Sequence, residues 1–336
     1  MLTFLSADGA RLLGELPLPP EPHELVFDAG RRLLYGTVTY RSGFYGQHGG
    51  RGTEVVVVDP DHRRVVETID LAPEHAPHGL ALDAARGLLY VSVEAGPAGD
   101  GAVVVLDLRT RKVVDRIAVG APGPHWFELT PDGGKGYTTN KEAGHLTVLA
   151  LGSEAAAGRG GMLGTVPVPG SEGIAVTGDG RYAVVATPRA APTGAPAAPP
   201  ALAVVDVRTD RVVRTVPLAA PAVPVHVTAG GLVLVGEVHG GAAGPGPAAG
   251  RLRIFGPVPG ATDGALTELG EVPVGQFPLT VRSSPDGALG YVSNISSDTL
   301  TVVDLADYRV LREVAFAPGT GPHGLAYVPA LGALDG

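Results

Sequence analysis

The feature that most limits what this chain can fold into is a phrase that it repeats. Pro-His or an equivalent pair opens a short alternating apolar stretch, a reverse turn follows, and a strand-like segment headed by Tyr comes next. Copies start at Pro22-His23, Pro77-His78, Pro124-His125, Ser171-Glu172, Pro224-Val225, Pro278-Leu279 and Pro322-His323. The turns between the first two segments, such as Pro131-Asp-Gly133, Gly178-Asp-Gly180 and Pro285-Asp-Gly287, carry the Asp and Gly that supply unusual backbone angles. A third apolar run ends in Asp, as in Val55-Val-Val-Val-Asp59 and Leu300-Thr-Val-Val-Asp304. A fourth then returns, as in Arg64-Val-Val-Glu-Thr-Ile69 and Arg309-Val-Leu-Arg-Glu-Val314.

Four strand-sized segments per unit of about fifty residues, with no helical period between them, are the signature of propeller blades, whose radial closure protects sheet edges. The 50 Gly and 31 Pro among 336 residues also leave little room for long helices. Counting the first-strand copies predicts an all-β, seven-bladed β-propeller spanning residues 1–336 as one domain. The seventh copy has only a first strand at His323–Val328, while the chain opens with two orphan strands, Leu2–Ser6 and Arg11–Leu16. Residues 1–17 are therefore expected to complete the last blade with residues 321–336, and that blade is expected to be short of a second strand.

Composition removes several classes of function. A net charge of −9 offers no basic surplus with which to displace counterions from phosphates, so no nucleic-acid partner is expected. The absence of Cys excludes disulfides, thiolate nucleophiles and iron–sulfur ligation, and any metal must be held by His, Asp or Glu. The N-terminus shows neither a basic region nor a sustained apolar stretch, and the longest apolar runs are strand-length. A cytoplasmic monomer with no membrane partner is the expectation.

Tyr137-Thr-Thr-Asn140, Tyr291-Val-Ser-Asn294, Tyr90-Val-Ser-Val93 and Tyr35-Gly-Thr-Val38 resemble the motif of the YVTN-type propellers and their lactonase-like relatives. The resemblance covers the whole chain. It implies the propeller fold, whereas relatives of this kind host lactone hydrolysis, lyase chemistry, cofactor scaffolding and plain binding.

Adjacent strands of a blade run in opposite directions, so the start of each first strand and the end of each second strand share one mouth of the central channel. Counting back from the second-strand Tyr places His23, His78, His125, Glu172, Val225, Leu279 and His323 at equivalent positions. Around the ring this predicts a contiguous arc of His323, His23, His78 and His125, closed by Glu172. Neutral imidazoles around a channel suit a divalent transition metal, Fe, Cu, Zn or Mn, and the arrangement is similar to the His-ringed iron site of the carotenoid oxygenases. Repeat duplication would copy a structural His as readily as a ligand, and both readings stand at this stage. His226 falls one residue out of register. The second strands end with Glu94, Asn140, Lys141, Glu237, His239 and Asn294, an inventory for acid–base and hydrogen-bonding work.

Three loops are long, residues 41–52, 188–200 and 238–250. The first bears Tyr45 and Phe44 beside Tyr40 and reads as an aromatic lid over a ligand; the other two are Ala/Pro/Gly-rich. Trp126, the one Trp, follows His125 and can wall the channel. The candidate catalytic residues are thus Glu172, Glu237, Glu94 and His226. Candidates for substrate contact are Tyr40, Phe44, Tyr45, Trp126, Asn140, Lys141, His239 and Asn294. These predict an enzyme acting on a small molecule at the His-lined mouth by hydrolysis, lactone chemistry, elimination or cyclisation. A non-catalytic scaffold, a metal-dependent oxidative enzyme and an amine–aldehyde condensing enzyme are the alternatives.

Overall fold

Alternating apolar runs of six to nine residues, punctuated by Asp- and Gly-containing turns, pair with their chain neighbours as antiparallel ladders. The computed structural model describes all residues except 43–49, 97–98, 154–159, 188–198, 240–248 and 332–336. Blade 1 consists of Pro22–Asp28, Leu33–Tyr40, Arg51–Asp59 and Arg64–Asp70, and blade 2 of His75–Asp83, Leu88–Ala95, Ala102–Asp107 and Lys112–Ala118. Blade 3 comprises Pro124–Leu129, Lys135–Asn140, His145–Ala150 and Gly161–Pro167, and blade 4 Ile174–Val176, Tyr182–Thr187, Ala201–Asp206 and Arg211–Pro217. Blade 5 is built from Ala222–Val227, Val233–Glu237, Gly250–Pro257 and Leu266–Val274, and blade 6 from Pro278–Ser283, Leu289–Asn294, Thr299–Asp304 and Arg309–Ala315. None of the described residues forms a helix long and apolar enough to cross a membrane.

Of the expected seven blades, six are complete. Six sheets have four strands, and the seventh sheet is a two-stranded pair, Leu2–Leu5 with Leu12–Leu16. The stretch 322–328 makes no ladder with it. This pair nevertheless packs between blades 6 and 1. Leu2, Phe4 and Leu16 lie with Ala326 against Leu34, Val56 and Val58 of blade 1, while Leu5, Leu325 and Tyr327 lie against Tyr291, Leu300 and Val302 of blade 6. A cavity of about 1030 Å3 opens beside this stretch.

Two sequence habits of the repeat have local causes. The Asp that ends the third strand of blades 1, 2, 4 and 6 caps the following turn: Asp107 accepts from the Arg109 and Thr110 N–H groups, and Asp59, Asp206 and Asp304 act alike. The Thr or Ser in the second strand bolts a blade to the next. The Glu24 N–H donates to Thr37 Oγ1 at 3.1 Å, and that hydroxyl donates to the His78 carbonyl at 2.9 Å. Ser92 repeats the pattern one blade on, accepting from the Gly79 N–H and donating to the His125 carbonyl. Glycine after the ring position is a matter of space. A Cβ on Gly173 would stand 2.2 Å from the Val223 oxygen, and one on Gly324 2.2 Å from the His23 oxygen.

Candidate functional site

The inner strands of blades 1, 2 and 3 start with an irregularity in their pairing, between Pro22 and Leu25, Pro77 and Leu80, and Pro124 and Phe127. Such bulges re-aim a side chain, and here the residue inside the bulge is the histidine. The four rings meet as a buried arc. Ring centroids are 3.7 Å apart for His323 and His23, 4.0 Å for His23 and His78, and 3.5 Å for His78 and His125. His78 is only 1% exposed.

Carboxylates hold both ends of the arc. His125 Nδ1 lies 3.0 Å from Glu172 Oε2, as the sequence order around the ring implied. At the other end Glu24, which the sequence did not single out, sets Oε1 3.2 Å from His323 Nδ1 and 4.0 Å from His23 Nδ1. A carboxylate on Nδ1 fixes the tautomer in which Nε2 is the metal-binding atom. Burial, and then the neighbouring imidazoles His323, His78 and His125, push His23 well below its ordinary pKa, which keeps the ring neutral. Two groups have ligand atoms mutually within 4.8 Å: His23, Glu24 and His323, and His78, Glu94 and His125.

Glu94 thus joins the arc from the end of a second strand. Its other contacts are the Tyr40 hydroxyl, which donates to it, and Lys141 Nζ at 3.4 Å. Burial and the Glu94 charge raise the Tyr40 pKa, so its proton stays on. Other candidates have structural employment. Asn140 donates to the His145 carbonyl and Thr147 Oγ1, and Asn294 to Thr299 and Thr301, each tying its second strand to the third. Buried Glu237 accepts from the Ala219 N–H and Arg253, with His239 Nε2 3.0 Å away, a cluster within blade 5 that shares no contact with the arc among the described residues. Phe44, Tyr45 and most of the three long loops lie outside the described residues.

His226 belongs to a second level of the channel. The pairing of Val225 with Val235 aligns Val223, not Val225, with the histidines, because the first turn of blade 5 is one residue shorter than that of blade 3. At this level the inner strands of blades 3, 5 and 6 place Glu128, His226 and Arg282 in equivalent register, opposite Tyr137, Leu234 and Tyr291. Val26 and Ala81 hold that position on blades 1 and 2. A chamber of about 620 Å3 lies among them, walled also by Trp126 and Glu24. His226 Nε2 is 2.9 Å from Ser283 Oγ, and burial with the Arg282 charge pushes its pKa down to about 3. Glu128 has no hydrogen bond or ion pair among the described residues, and burial pushes it up to about 7 against the opposing pull of Arg282.

No protein-family profile matches the chain, and no curated protein does either. Solved structures do. A functionally unknown protein of Desulfotomaculum acetoxidans is similar with a TM-score of 0.73 at 13% identity, covering 96% of this chain and 94% of its own. Hydrazine synthase of Kuenenia stuttgartiensis gives 0.67 at 15% identity, covering 92% and 90%. The β-propeller domain of Cps50 (Swd1) of Myceliophteria thermophila gives 0.67 at 14%, covering 92% and 89%. At these identities the likeness defines a class by fold alone: an all-β propeller.

Proposed function

We propose that this propeller transforms a small molecule at the imidazole arc, with one divalent transition metal held by His23, His78, His125 and His323. The ring around it is read as seven-fold, residues 1–17 and the C-terminal stretch together forming a reduced closing blade, as the resemblance to YVTN-type propellers implies. The observation that carries the functional reading is the arc itself: four buried rings in contact, with Glu24 and Glu172 against Nδ1 at its ends. The donor set fits a borderline metal such as Fe, Cu, Zn or Mn, being imidazole with carboxylate behind it. Bound there, the metal would supply Lewis-acid or redox chemistry. The chain's own residues do the rest. Glu24 and Glu172 orient the rings, and Glu94, hydrogen-bonded by Tyr40 and paired with Lys141, is the group positioned to accept or return a proton.

Elemental analysis of untagged protein tests this reading. Stoichiometric metal in the wild type, lost in the His78→Ala/His125→Ala double variant with the strand signal in circular dichroism retained, is the expected result. Protein without metal, or a double variant changed only in melting temperature, would reduce the histidines to struts between blades.

A further inference from the structure

The second level of the channel meets the arc at Glu24, and its other polar groups have no employment in the reading above. Its charged and titratable wall residues are Glu24, Asp83, Glu128, His226 and Arg282. Asp83 is engaged by Arg86 at 2.8 Å, and Glu24 by the imidazoles. Two donor groups of the wall, Trp126 and Arg282, keep N–H bonds to spare. Trp126 is 6% exposed, and its Nε1–H has no hydrogen-bond partner among the described residues. The Arg282 guanidinium lies 5.9 Å from the Trp126 ring and spends one N–H on the Val281 carbonyl. Its approach to Glu24, at 3.8 Å, is longer than a hydrogen bond. Buried donors without acceptors are costly and so mark a place where an acceptor belongs.

We propose that this chamber binds a small monocarboxylate with an apolar body, its carboxylate received by the Arg282 guanidinium and the Trp126 indole N–H. Arginine presents parallel N–H groups that match two carboxylate oxygens. Leu25, Val26, Leu80 and Leu82 supply the apolar wall for the rest of the molecule. Small side chains at the register position of Arg282, Ala81 among them, leave the room. A volume of about 620 Å3 is in the range of small-ligand sites. Glu128 completes the recognition. In its protonated form it adds another donor, whereas its carboxylate would repel the ligand.

Three probes of one chain length separate the head-group chemistries: pentanoate, pentan-1-ol and pentylamine, each titrated into the full chain while the fluorescence of its one Trp is followed. Pentanoate is expected to give a saturable change, pentan-1-ol at least a ten-fold weaker one, and pentylamine none. Arg282→Gln should weaken pentanoate at least ten-fold. Should that variant fail to fold, the wild-type preference among the three probes decides alone. Equal affinity for all three, a preference for pentylamine, or a folded Arg282→Gln variant with unaltered pentanoate affinity overturns the proposal. Metal content, measured on the same samples, bears on the arc alone, so the two readings fail separately.

Discussion

At the level of the arc, the polar side chains come from residues 323, 23, 78, 125 and 172, while Val223 and Leu279 complete the ring. Three residues further along the inner strands the distribution reverses. Blades 1 and 2 turn apolar with Val26 and Ala81, and the polar groups come from blades 3, 5 and 6 as Glu128, His226 and Arg282. One repeat therefore carries two independent inventories. The arc is a buried set of imidazoles flanked by carboxylates, on which the metal proposal rests; the chamber sets the N–H groups of Trp126 and Arg282 beside the carboxyl groups of Glu24, Asp83 and Glu128, and the ligand proposal rests on those two donors.

The widest blow to both levels is Gly173→Val. The new side chain would meet the Val223 carbonyl of the next blade, 2.2 Å from its Cβ, and force the inner strands of blades 4 and 5 apart. A loss of about 3 kcal/mol is expected, read as a shifted denaturant midpoint. Metal and pentanoate binding should fall together, and their separation in this variant would contradict a shared scaffold.

Glu172→Gln should split the levels. Removing the charge behind His125 Nδ1 is expected to weaken metal affinity by about 10–100-fold while leaving pentanoate affinity unaltered. A matching loss at both would mean that the levels are coupled.

The smallest effect is that of pH, and it belongs to the chamber. Glu128 titrates at about 7 in the folded chain against an ordinary 4.5, so the native state holds a proton that the unfolded chain has released. Its contribution to stability is therefore greatest below pH 4.5 and is lost as pH rises to about 7. His226, at about 3, stays neutral throughout that window. Pentanoate affinity should decline several-fold from pH 6 to 8, and Glu128→Gln should flatten the profile and raise the melting temperature relative to wild type more at pH 8 than at pH 5. A wild-type profile that Glu128→Gln leaves unchanged would assign the titration to another group.

How much of this was legible in the sequence follows from the repeat. The strands, the Asp-capped turns and the convergence of the histidines were readable because the phrase recurs, with His23, His78 and His125 each twelve residues before a Tyr and His323 in a further Pro-His-Gly copy. Blade 5 broke that ruler, having Leu234 where its neighbours have Tyr and a shorter first turn, and so Val225 was aligned where Val223 stands. At the closing sheet the two N-terminal strands pair as expected, whereas 322–328 makes no ladder with them, although its sequence is that of a first strand. Glu24 was overlooked as the neighbour of a histidine. The bulge at the start of the strand brings consecutive residues to one site, against the alternation that sequence reasoning assumes. Glu128 and Arg282 carried a signal that went unused, their common distance of nine residues from Tyr137 and Tyr291.

The bolts between blades engage the ring-position residue through its main-chain carbonyl, His78 by Thr37 and His125 by Ser92. Blade joining thus reads nothing of the side chain, and Glu172, Val223 and Leu279 occupy that position as readily as histidine. A lineage built on this scaffold can exchange the arc's residues one at a time, gaining, losing or retuning a centre without renegotiating how the chain assembles.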